Sequence, residues 1–550
     1  MNQQFNLIDE GWIPCIMGGD GPEVERRCEL GVRDILLQAP DIQEVSDPSP
    51  LVTVALHRLL LAIIHRAIDG PVDMDNWARL WVQDHWDAAL GAYVSEMRPR
   101  FNLFGDQHPF YQVASIGPEY GQPVAKLTHE LASGNNVTLF DHTTRAQAPA
   151  FTPAQAARYL VAYQCYAVGG LVSFETGQDP KVYKSAPATP LVKGAVALAR
   201  GKSLFETLML NLVEYNVKVG APFREQKSND QPAWERDGET RVEERRPDGY
   251  LDYLTWQSRR IRLFPSYNEQ GDIIVREVAI MKGYVLSGVE RRDVETMVAF
   301  RKLRKQPLGQ DPYVAIGFRP DKALWRDSQA IFQSVDDSVP SKTLHWLHDL
   351  EDAGLLQLEP IIPLDLLGMV TDQASVLLWR HEQLPLPLAY LDPVNENLKA
   401  ALWKALDVAE KVGRVVRAVS EILAKFLLAP DQGARQAALD DKRKLADSFG
   451  MERAYWPRLD IPFKRLLQAL PEDPTIHASG DLEYDNGLPE WVGEVRRAAY
   501  DVFDEVTSGM DESGRSLKAV ALARRDLRIE VFKVVKAAGV TIDQRKGDAA

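Results

Sequence analysis

Apolar residues recur at helical spacing over a long stretch near the C-terminus. From Leu398 to Leu427 they follow one another in steps of three and four, which is typical of a long helix with one buried stripe. Four further segments with similar spacing follow it, and turn-rich pieces divide them. The pattern predicts an all-α bundle of about four main helices over residues 391–550. The stripe of the first helix consists of Leu402, Leu406, Ala409, Val412, Val416, Val419, Leu423 and Phe426.

The chain from residue 1 to about 390 has a mixed pattern. β-rich runs such as "RIRLF" and "DIIVREVAIM" lie between clusters of Gly, Pro and Asp, and helical patterns alternate with them. A polar stretch, residues 221–252, predicts a long and partly mobile loop. We therefore predict an α+β fold: a mixed α/β domain with short sheets, residues 1–390, followed by a four-helix bundle, residues 391–550. Helices are predicted at Leu51–Ile68, Pro153–Tyr166 and Ser203–Val213.

The segment "GMVTDQASVLLWRHE", Gly368–Glu382, fits a helix start. Thr371 or Asp372 can cap it, because a short side-chain oxygen accepts from free N–H groups of the first turn. Gln373 then stands in that first turn, at the positive end of the helix dipole and off the apolar stripe. In the predicted helix, the long neutral side chain of Gln373 therefore has no packing role. The predicted stripe consists of Ala374, Leu377, Leu378 and His381.

Amino-acid composition and net charge exclude several classes of protein. The net charge of −14 and the pI of about 5.3 argue against a generally basic nucleic-acid-binding surface, although a local basic groove is compatible with them. The three cysteines form no C-x-x-C pair, so neither a disulfide scaffold nor a cysteine zinc site is supported. The N-terminus lacks the pattern of a signal peptide. Charged residues inside Leu51–Ile68 favour a buried helix over a membrane span. We expect a cytoplasmic protein that makes no membrane contact.

Catalytic motifs are incomplete. "GAVALARGKSLFE" lacks the first glycine of a phosphate-binding loop, since Val196 stands there, and Ser203 with Glu206 fits a helix capping box. His345, His348 and Asp349 have a spacing that could serve a metal-dependent nuclease or phosphohydrolase, and this enzyme is the alternative hypothesis. A solvated helix face is the favoured interpretation. We therefore expect no catalytic residue, no metal and no cofactor.

Several segments in a fixed order resemble one family. They are similar to those of CasA, the large subunit of the type I-E Cascade complex of CRISPR immunity. The resemblance extends from the N-terminus to about residue 382. The segments are "FNLIDEGWIPC", "RLLLAIIHRA", "RFNLFGDQHPFYQV", "NNVTLFDH", "NDQPAWER", "LTWQ" and "DQASVLLWRHE".

The resemblance implies a DNA-recognition subunit without an active site. Such a subunit recognises the protospacer-adjacent motif (PAM) in double-stranded DNA and wedges the duplex open so that guide RNA can pair with the target strand. It also helps to recruit the helicase–nuclease that destroys the DNA. The implied partners are double-stranded target DNA, the 5′ handle of the CRISPR RNA, the other Cascade subunits and the helicase–nuclease.

The resemblance also assigns residues. Gln373 aligns with the family's wedge glutamine; Ala374 follows it, and Asp372 stands where an asparagine is common. Gly169 and Gly170 are the candidates for its glycine loop, with an ordinary turn at a helix end as the alternative. The minor-groove cation is expected at Lys282, a residue that could equally be a solvated surface charge, and Arg291 and Arg292 compete for this role. A loop that contacts guide RNA and neighbouring subunits is expected at Phe140, Asp141 and His142, although Phe140 could belong to the core.

Overall fold

The computed structural model describes most of the chain, and the chain divides into two compact units. Unit 1 comprises Met1–Pro320, Ser334–Gln357 and Ile362–Gln383, and unit 2 comprises Asp321–Gln333, Leu358–Ile361 and Leu384–Ala550. The predicted domain boundary at residue 390 stays a prediction. The described residues are 4–18, 26–86, 88–129, 149–303, 305, 311–333, 337–356, 360–372, 374–428, 439–472, 474–476 and 482–539.

Helices and short strands alternate along unit 1, and helices dominate unit 2. The α-helices are α1 Val32–Leu37, α2 Pro50–Ile68, α3 Met74–Gln83, α4 Ala88–Met97, α5 Pro153–Tyr166, α6 Pro180–Tyr183, α7 Leu204–Leu210, α8 Tyr250–Leu254, α9 Arg291–Val294, α10 Ser328–Phe332, α11 Lys342–Asp352, α12 Glu396–Leu428, α13 Leu439–Ser448, α14 Met451–Arg458, α15 Asp460–Ala469, α16 Leu488–Ser508 and α17 Gly514–Ala537. Single 3₁₀ turns lie at Ala39–Asp41, Arg98–Phe101, Pro118–Tyr120, Val124–Leu127, Ala233–Glu235, Leu324–Asp327 and Leu388–Leu391.

The sheets are small, as predicted, with two or three strands each among the described residues. Their orders are β2-β1-β3, β4-β10-β9, β11-β8, β13-β12-β14, β16-β15-β7, β17-β18 and β5-β6. The strands are β1 Ile13–Met17, β2 Arg26–Leu30, β3 Ile42–Val45, β4 Gln122–Pro123, β5 Gly170–Leu171, β6 Ser185–Ala186, β7 Val196–Ala199, β8 Glu243–Arg245, β9 Arg259–Tyr267, β10 Ile273–Lys282, β11 Tyr284–Leu286, β12 Phe300–Lys302, β13 Tyr313–Ala315, β14 Ser338–Val339, β15 Ile361–Asp372, β16 Ser375–Pro387, β17 Thr475–Ile476 and β18 Leu482–Glu483.

Helix α2 lies at the centre of unit 1. By length and composition it could cross a membrane, but fifteen of its nineteen residues are buried inside the unit, so it serves as a core helix. Its Arg58 is buried and ion-paired with Glu295 at 3.0 Å, and the Tyr253 hydroxyl donates to the same carboxylate at 2.9 Å. These partners satisfy charges that would otherwise be costly to bury. The predicted helices Leu51–Ile68 and Pro153–Tyr166 are confirmed as α2 and α5.

One prediction in unit 1 is wrong. Residues Gly368–Glu382 do not form a helix, because β15 runs to Asp372 and β16 starts at Ser375. Four apolar residues at helical spacing are too few to exclude a strand, and both faces of β16 carry apolar side chains, which hides the period of two. The stretch 221–252 is rich in loops, but Trp234 and Asp230 are buried and anchor it within the unit.

Unit 2 is organised around the predicted long helix, which is confirmed as α12. Except for Phe426, every member of its predicted stripe is buried. Across the described part of the unit, α12 contacts the long helices α16 and α17 and the shorter α13 and α14. Trp325 stacks on Phe463, with ring centroids 4.4 Å apart, and Trp491 donates its indole N–H to the Ala405 carbonyl at 2.9 Å. C-terminal helices are therefore established, and the four-helix bundle stays a prediction.

Glycines of two helices in unit 2 offer a matched test of this packing. A Cβ at Gly413 of α12 would lie 2.6 Å from Cζ2 of Trp456, whereas a Cβ at Gly493 of α16 would meet nothing within 4 Å. Alanine gains about 1 kcal/mol of helix propensity over glycine, and overpacking costs about 1–3 kcal/mol. We expect Gly413→Ala to lower the free energy of unfolding and Gly493→Ala to raise it by about 0.5–1 kcal/mol. Urea unfolding followed by tryptophan fluorescence measures both, and equal stabilisation by the two changes would contradict the close contact at Gly413.

Candidate nucleic-acid interface

A glycine segment, residues 168–172, follows the end of α5. Ala167 leaves the helix in an extended conformation. Gly170 and Leu171 then form β5 and pair with Ala186 and Ser185 of β6. Gly170 thus lies in a strand pair, and Gly169 is the bend that leads from the end of the helix into it.

Both glycines are required by their surroundings. A Cβ at Gly169 would lie 3.0 Å from the backbone nitrogen of Ala188, a tight contact that would require the backbone after β6 to shift by a few tenths of an ångström. Gly170 has φ +152°, a backbone conformation that residues with a Cβ rarely adopt. The segment therefore offers bare backbone that a bulky ligand can approach closely.

Arg259 at the start of β9 joins the first residue of this segment to the chain that follows β6, and the sequence analysis did not identify it. Its guanidinium donates to the Val168 carbonyl at 3.1 Å and to the Pro187 carbonyl at 2.7 Å, on either side of the β5–β6 pair. Gln164 of α5 bonds to its backbone, accepting from the N–H at 3.0 Å and donating to the C=O at 2.8 Å. Arg259 is 1% exposed, and burial lowers its pKa. A guanidinium with five donors suits such a site, because it can bond several carbonyls at once.

Lys282 ends β10 beside the loop between β5 and β6. Its ammonium donates to the Val182 carbonyl at 2.9 Å, and its own carbonyl accepts from Arg260 at 3.2 Å. Ser173, just after the glycine segment, forms a bridge with the neighbouring Met281. Of the three candidate cations, Lys282 is therefore joined directly to the loop that follows the glycines.

The two competing arginines are engaged elsewhere. Arg291 bonds to the Pro190 carbonyl, and the guanidinium of Arg292 is ion-paired with Asp311 at 2.8 Å and covers the Tyr313 ring at 4.3 Å. Both line a separate cavity of about 1430 Å³. The geometry thus favours Lys282 over either arginine as the cation near the glycine segment.

β15 and β16 form a long hairpin in place of the predicted helix. Gln373 and Ala374 join the strands; Gln373 lies outside the described residues, and Ala374 is exposed. Asp372 is the exposed last residue of β15. Pairing with β7 extends from Leu364 to Leu367, so among the described pairings the distal part of the hairpin is two-stranded.

Buried charges hold the stem of this hairpin. Asp365 of β15 accepts from Arg200 at 2.9 Å and is paired with His381 of β16 at 3.0 Å. The hydrogen bond to Asp365 raises the pKa of His381 above its usual value. Burial alone would raise the pKa of Asp365, but the bond from His381 and the charge of Arg200 outweigh it and lower that pKa. The cross-strand pair therefore stabilises the register of the two strands while Asp365 is ionised and His381 is protonated, and this contribution is lost as the pH rises through the raised pKa of His381.

The hairpin tip and the glycine segment lie side by side. A Cβ placed on Gly170 would be 3.8 Å from the Cβ of Ala374, which is ordinary van der Waals contact. Leu171 of the segment is 77% exposed, and Leu377 near the tip is 54% exposed. The fold therefore brings together Gly170 and Ala374, which are about 200 positions apart in sequence, on an accessible face of unit 1.

The remaining predicted residues do not contribute to this site. Phe140, Asp141 and His142 lie outside the described residues. His345 of α11 is exposed and 4.0 Å from Asp349, while Trp346 and Leu350 are buried, as expected for a solvated helix face. Among the residues that the structure describes, no group of three or more His, Cys, Asp or Glu could hold a metal ion. The histidine cluster thus gives no support to the alternative of a metal-dependent enzyme.

Comparison with known proteins decides the family. The family model for CRISPR-associated protein Cse1 matches residues 6–502. The chain belongs to the Cse1 family. It is 35% identical over 543 residues to the CRISPR-associated protein CasA/Cse1 of Thermus thermophilus, covering 95% of this chain and 96% of that protein.

Solved structures agree with this assignment of the Cse1-family chain. The crystal structure of Thermus thermophilus CasA is 30% identical, with a TM-score of 0.76 over 96% of this chain and all of that one. A chain of a structure described as a CRISPR RNA-guided surveillance complex has a TM-score of 0.72 at 19% identity, over 96% of this chain and 99% of that one. The latter likeness concerns the fold alone. The predicted resemblance to CasA is confirmed.

The role of Arg259 can be tested by Arg259→Lys, with Arg262→Lys on the same strand as the matched control. A lysine ammonium cannot reach both the Val168 and Pro187 carbonyls, and a buried carbonyl left unpaired costs about 1–3 kcal/mol. We expect Arg259→Lys to lower the free energy of unfolding by about 1–3 kcal/mol. We also expect faster hydrogen exchange at the Val172 amide, which bonds to the Lys184 carbonyl at 2.9 Å. Arg262 makes a long, 3.4 Å contact with the Gly105 carbonyl, and a lysine keeps its charge near Asp106 and Glu239, so its variant should match the wild type. Unchanged exchange at Val172 in Arg259→Lys would contradict the anchoring role.

Proposed function

We propose that this chain is the large, non-catalytic subunit of a type I-E CRISPR RNA-guided surveillance complex. In this role it recognises the PAM in double-stranded target DNA and wedges the duplex open for R-loop formation. It works in the cytoplasm with the other Cascade subunits and the 5′ handle of the CRISPR RNA, and it helps to recruit the helicase–nuclease. Membership of the Cse1 family supports the assignment to such a complex, and the juxtaposition of the glycine segment with the hairpin tip carries the proposal for DNA.

The glycine segment suits the minor groove. That groove is narrow and presents mainly acceptors that distinguish A·T from G·C pairs. Backbone without a Cβ can approach its floor, and Gly169 and Gly170 supply such backbone at the start of the β5–β6 strand pair. Lys282 adds a cation next to the segment. Its bond to the Val182 carbonyl must open or be shared if the ammonium is to reach DNA.

The hairpin tip suits duplex opening. A primary amide such as that of Gln373 has donors and acceptors but no charge that phosphates would attract or repel, so it can replace base-pair hydrogen bonds. Unstacking one step costs a few kcal/mol, which one amide cannot offset. The RNA–DNA heteroduplex is about as stable as the DNA duplex that it replaces, so a small stabilisation of the opened base pairs is sufficient to start the exchange. Asp372 stands where the resemblance leads us to expect an asparagine. An ionised aspartate accepts hydrogen bonds but does not donate them, so we expect the base preference at this position to differ.

Gln373→Ala in the assembled complex tests the wedge. We expect target-strand opening to slow at least tenfold while assembly is unchanged, because the side chain that replaces the lost pairing is removed. A 2-aminopurine at the first base pair beside the PAM reports opening by its fluorescence. The control is Gln270→Ala, which removes an exposed amide from the turn between β9 and β10. Opening at the wild-type rate by an intact Gln373→Ala complex would rule out the wedge assignment.

A further inference from the structure

The loop between β5 and β6 carries two exposed lysines that the sequence analysis did not assign. Lys181 lies in α6 and Lys184 follows it, and both are exposed. Neither forms an ion pair with any carboxylate of the described residues. Glu175 of the same loop is paired with Arg260 at 3.5 Å, and the Asp179 carboxylate caps α6 by accepting from the backbone N–H of Lys181 at 2.9 Å. Both ammonium groups are therefore available to an anion.

The loop is held in place at several points. The Lys184 carbonyl accepts from the Val172 N–H at 2.9 Å, and Lys282 bonds to the Val182 carbonyl. Lys184 also closes α6, donating its N–H to the Pro180 carbonyl at 3.1 Å. Residues three apart in a helix have Cβ atoms about 5–6 Å apart, so Lys181 and Lys184 present two neighbouring cations. The fixed backbone of the loop keeps the two side chains next to each other, so both can reach neighbouring phosphates.

The pair lies next to the proposed DNA site. Lys184 is two residues before Ala186, the strand partner of Gly170, which corresponds to about 7 Å along a strand. Gly170 in turn adjoins the hairpin tip at Ala374. The chain as a whole carries a net charge of −14, so unpaired cations at this edge mark a place where a polyanion is attracted rather than repelled.

We infer that Lys181 and Lys184 form a phosphate clamp on the DNA backbone flanking the PAM, and that Lys282 positions their loop. The inference rests on the proposed function and extends it. Lysine ammonium groups bind phosphate as point charges, and contacts to the backbone carry no sequence information. The clamp therefore supplies affinity and register, while the glycine segment and the tip act on the bases.

The salt dependence of DNA binding tests the clamp. The assembled complex is titrated with a PAM-containing duplex at several NaCl concentrations, for the wild type and for Lys181→Ala/Lys184→Ala. The slope of log K against log[salt] is negative, and each lost phosphate contact reduces its magnitude by about 0.9. We therefore expect the double variant to reduce the magnitude of the slope by about 2 and to leave the ranking of PAM sequences unchanged. The control is Lys218→Ala/Lys302→Ala, which removes the same charge from exposed positions on other elements of unit 1. Its slope should equal that of the wild type.

Three other outcomes would each overturn the proposed clamp. A slope in Lys181→Ala/Lys184→Ala equal to that of the control pair overturns the clamp while PAM discrimination by the wild type upholds the proposed function. Impaired assembly with guide RNA in the absence of DNA, seen by gel filtration, would assign the lysines to RNA and also overturn the inference. A wild-type complex that binds duplexes with and without a PAM equally would refute the proposed function, and the clamp with it.

Discussion

A buried guanidinium without a carboxylate partner among the described residues determines the geometry of the candidate site. Arg259 is held almost free of solvent and bonds to carbonyls on both sides of the β5–β6 pair, and Gln164 of α5 fixes its backbone. Burying an unpaired charge is costly, and the depressed pKa of this arginine reflects that cost. Hydrogen bonds to the Val168 and Pro187 carbonyls offset this cost, and they form only while both carbonyls stay in place. The position of the glycine segment is therefore coupled to the core of unit 1, although the segment itself is accessible.

A buried charged side chain also fixes the hairpin whose tip meets the glycine segment. Its stem is fixed by Asp365, which joins Arg200 to His381 across the strands, whereas the exposed tip is free of such constraints in the described residues. A rigid support below an accessible tip is the arrangement that a wedge requires, since the support must resist the force of the duplex closing again. Bare backbone beside that tip lets a groove approach closely. The two elements thus meet at Gly170 and Ala374 on one accessible surface.

Long periodic elements and glycines could be predicted from the sequence. The stripe of α12 and the apolar run of α2 exceed the length at which periodicity is ambiguous, and Gly169 and Gly170 were identified by their resemblance to a family loop. The hairpin could not be predicted, because exposed Leu377 and Trp379 alternate with half-buried Val376 and Leu378 and leave no contrast between the faces. Arg259 was missed because an arginine in "RRIRLF" is indistinguishable by sequence from a solvated one. Only the tertiary fold shows which of them has its donors bonded to buried carbonyls.

Photo-crosslinking from the hairpin tip is the most direct measurement of the central claim. A benzoylphenylalanine replacing Ala374 in the assembled complex, bound to a PAM-containing duplex, should crosslink to the bases at the junction of the PAM and the first target pair. The same group at Gly238, an open position of unit 1 with nothing within 4 Å of a Cβ, should give no such product. Crosslinks from position 374 that fall only on protein subunits, with the duplex bound, would show that the tip never enters DNA and would contradict the account.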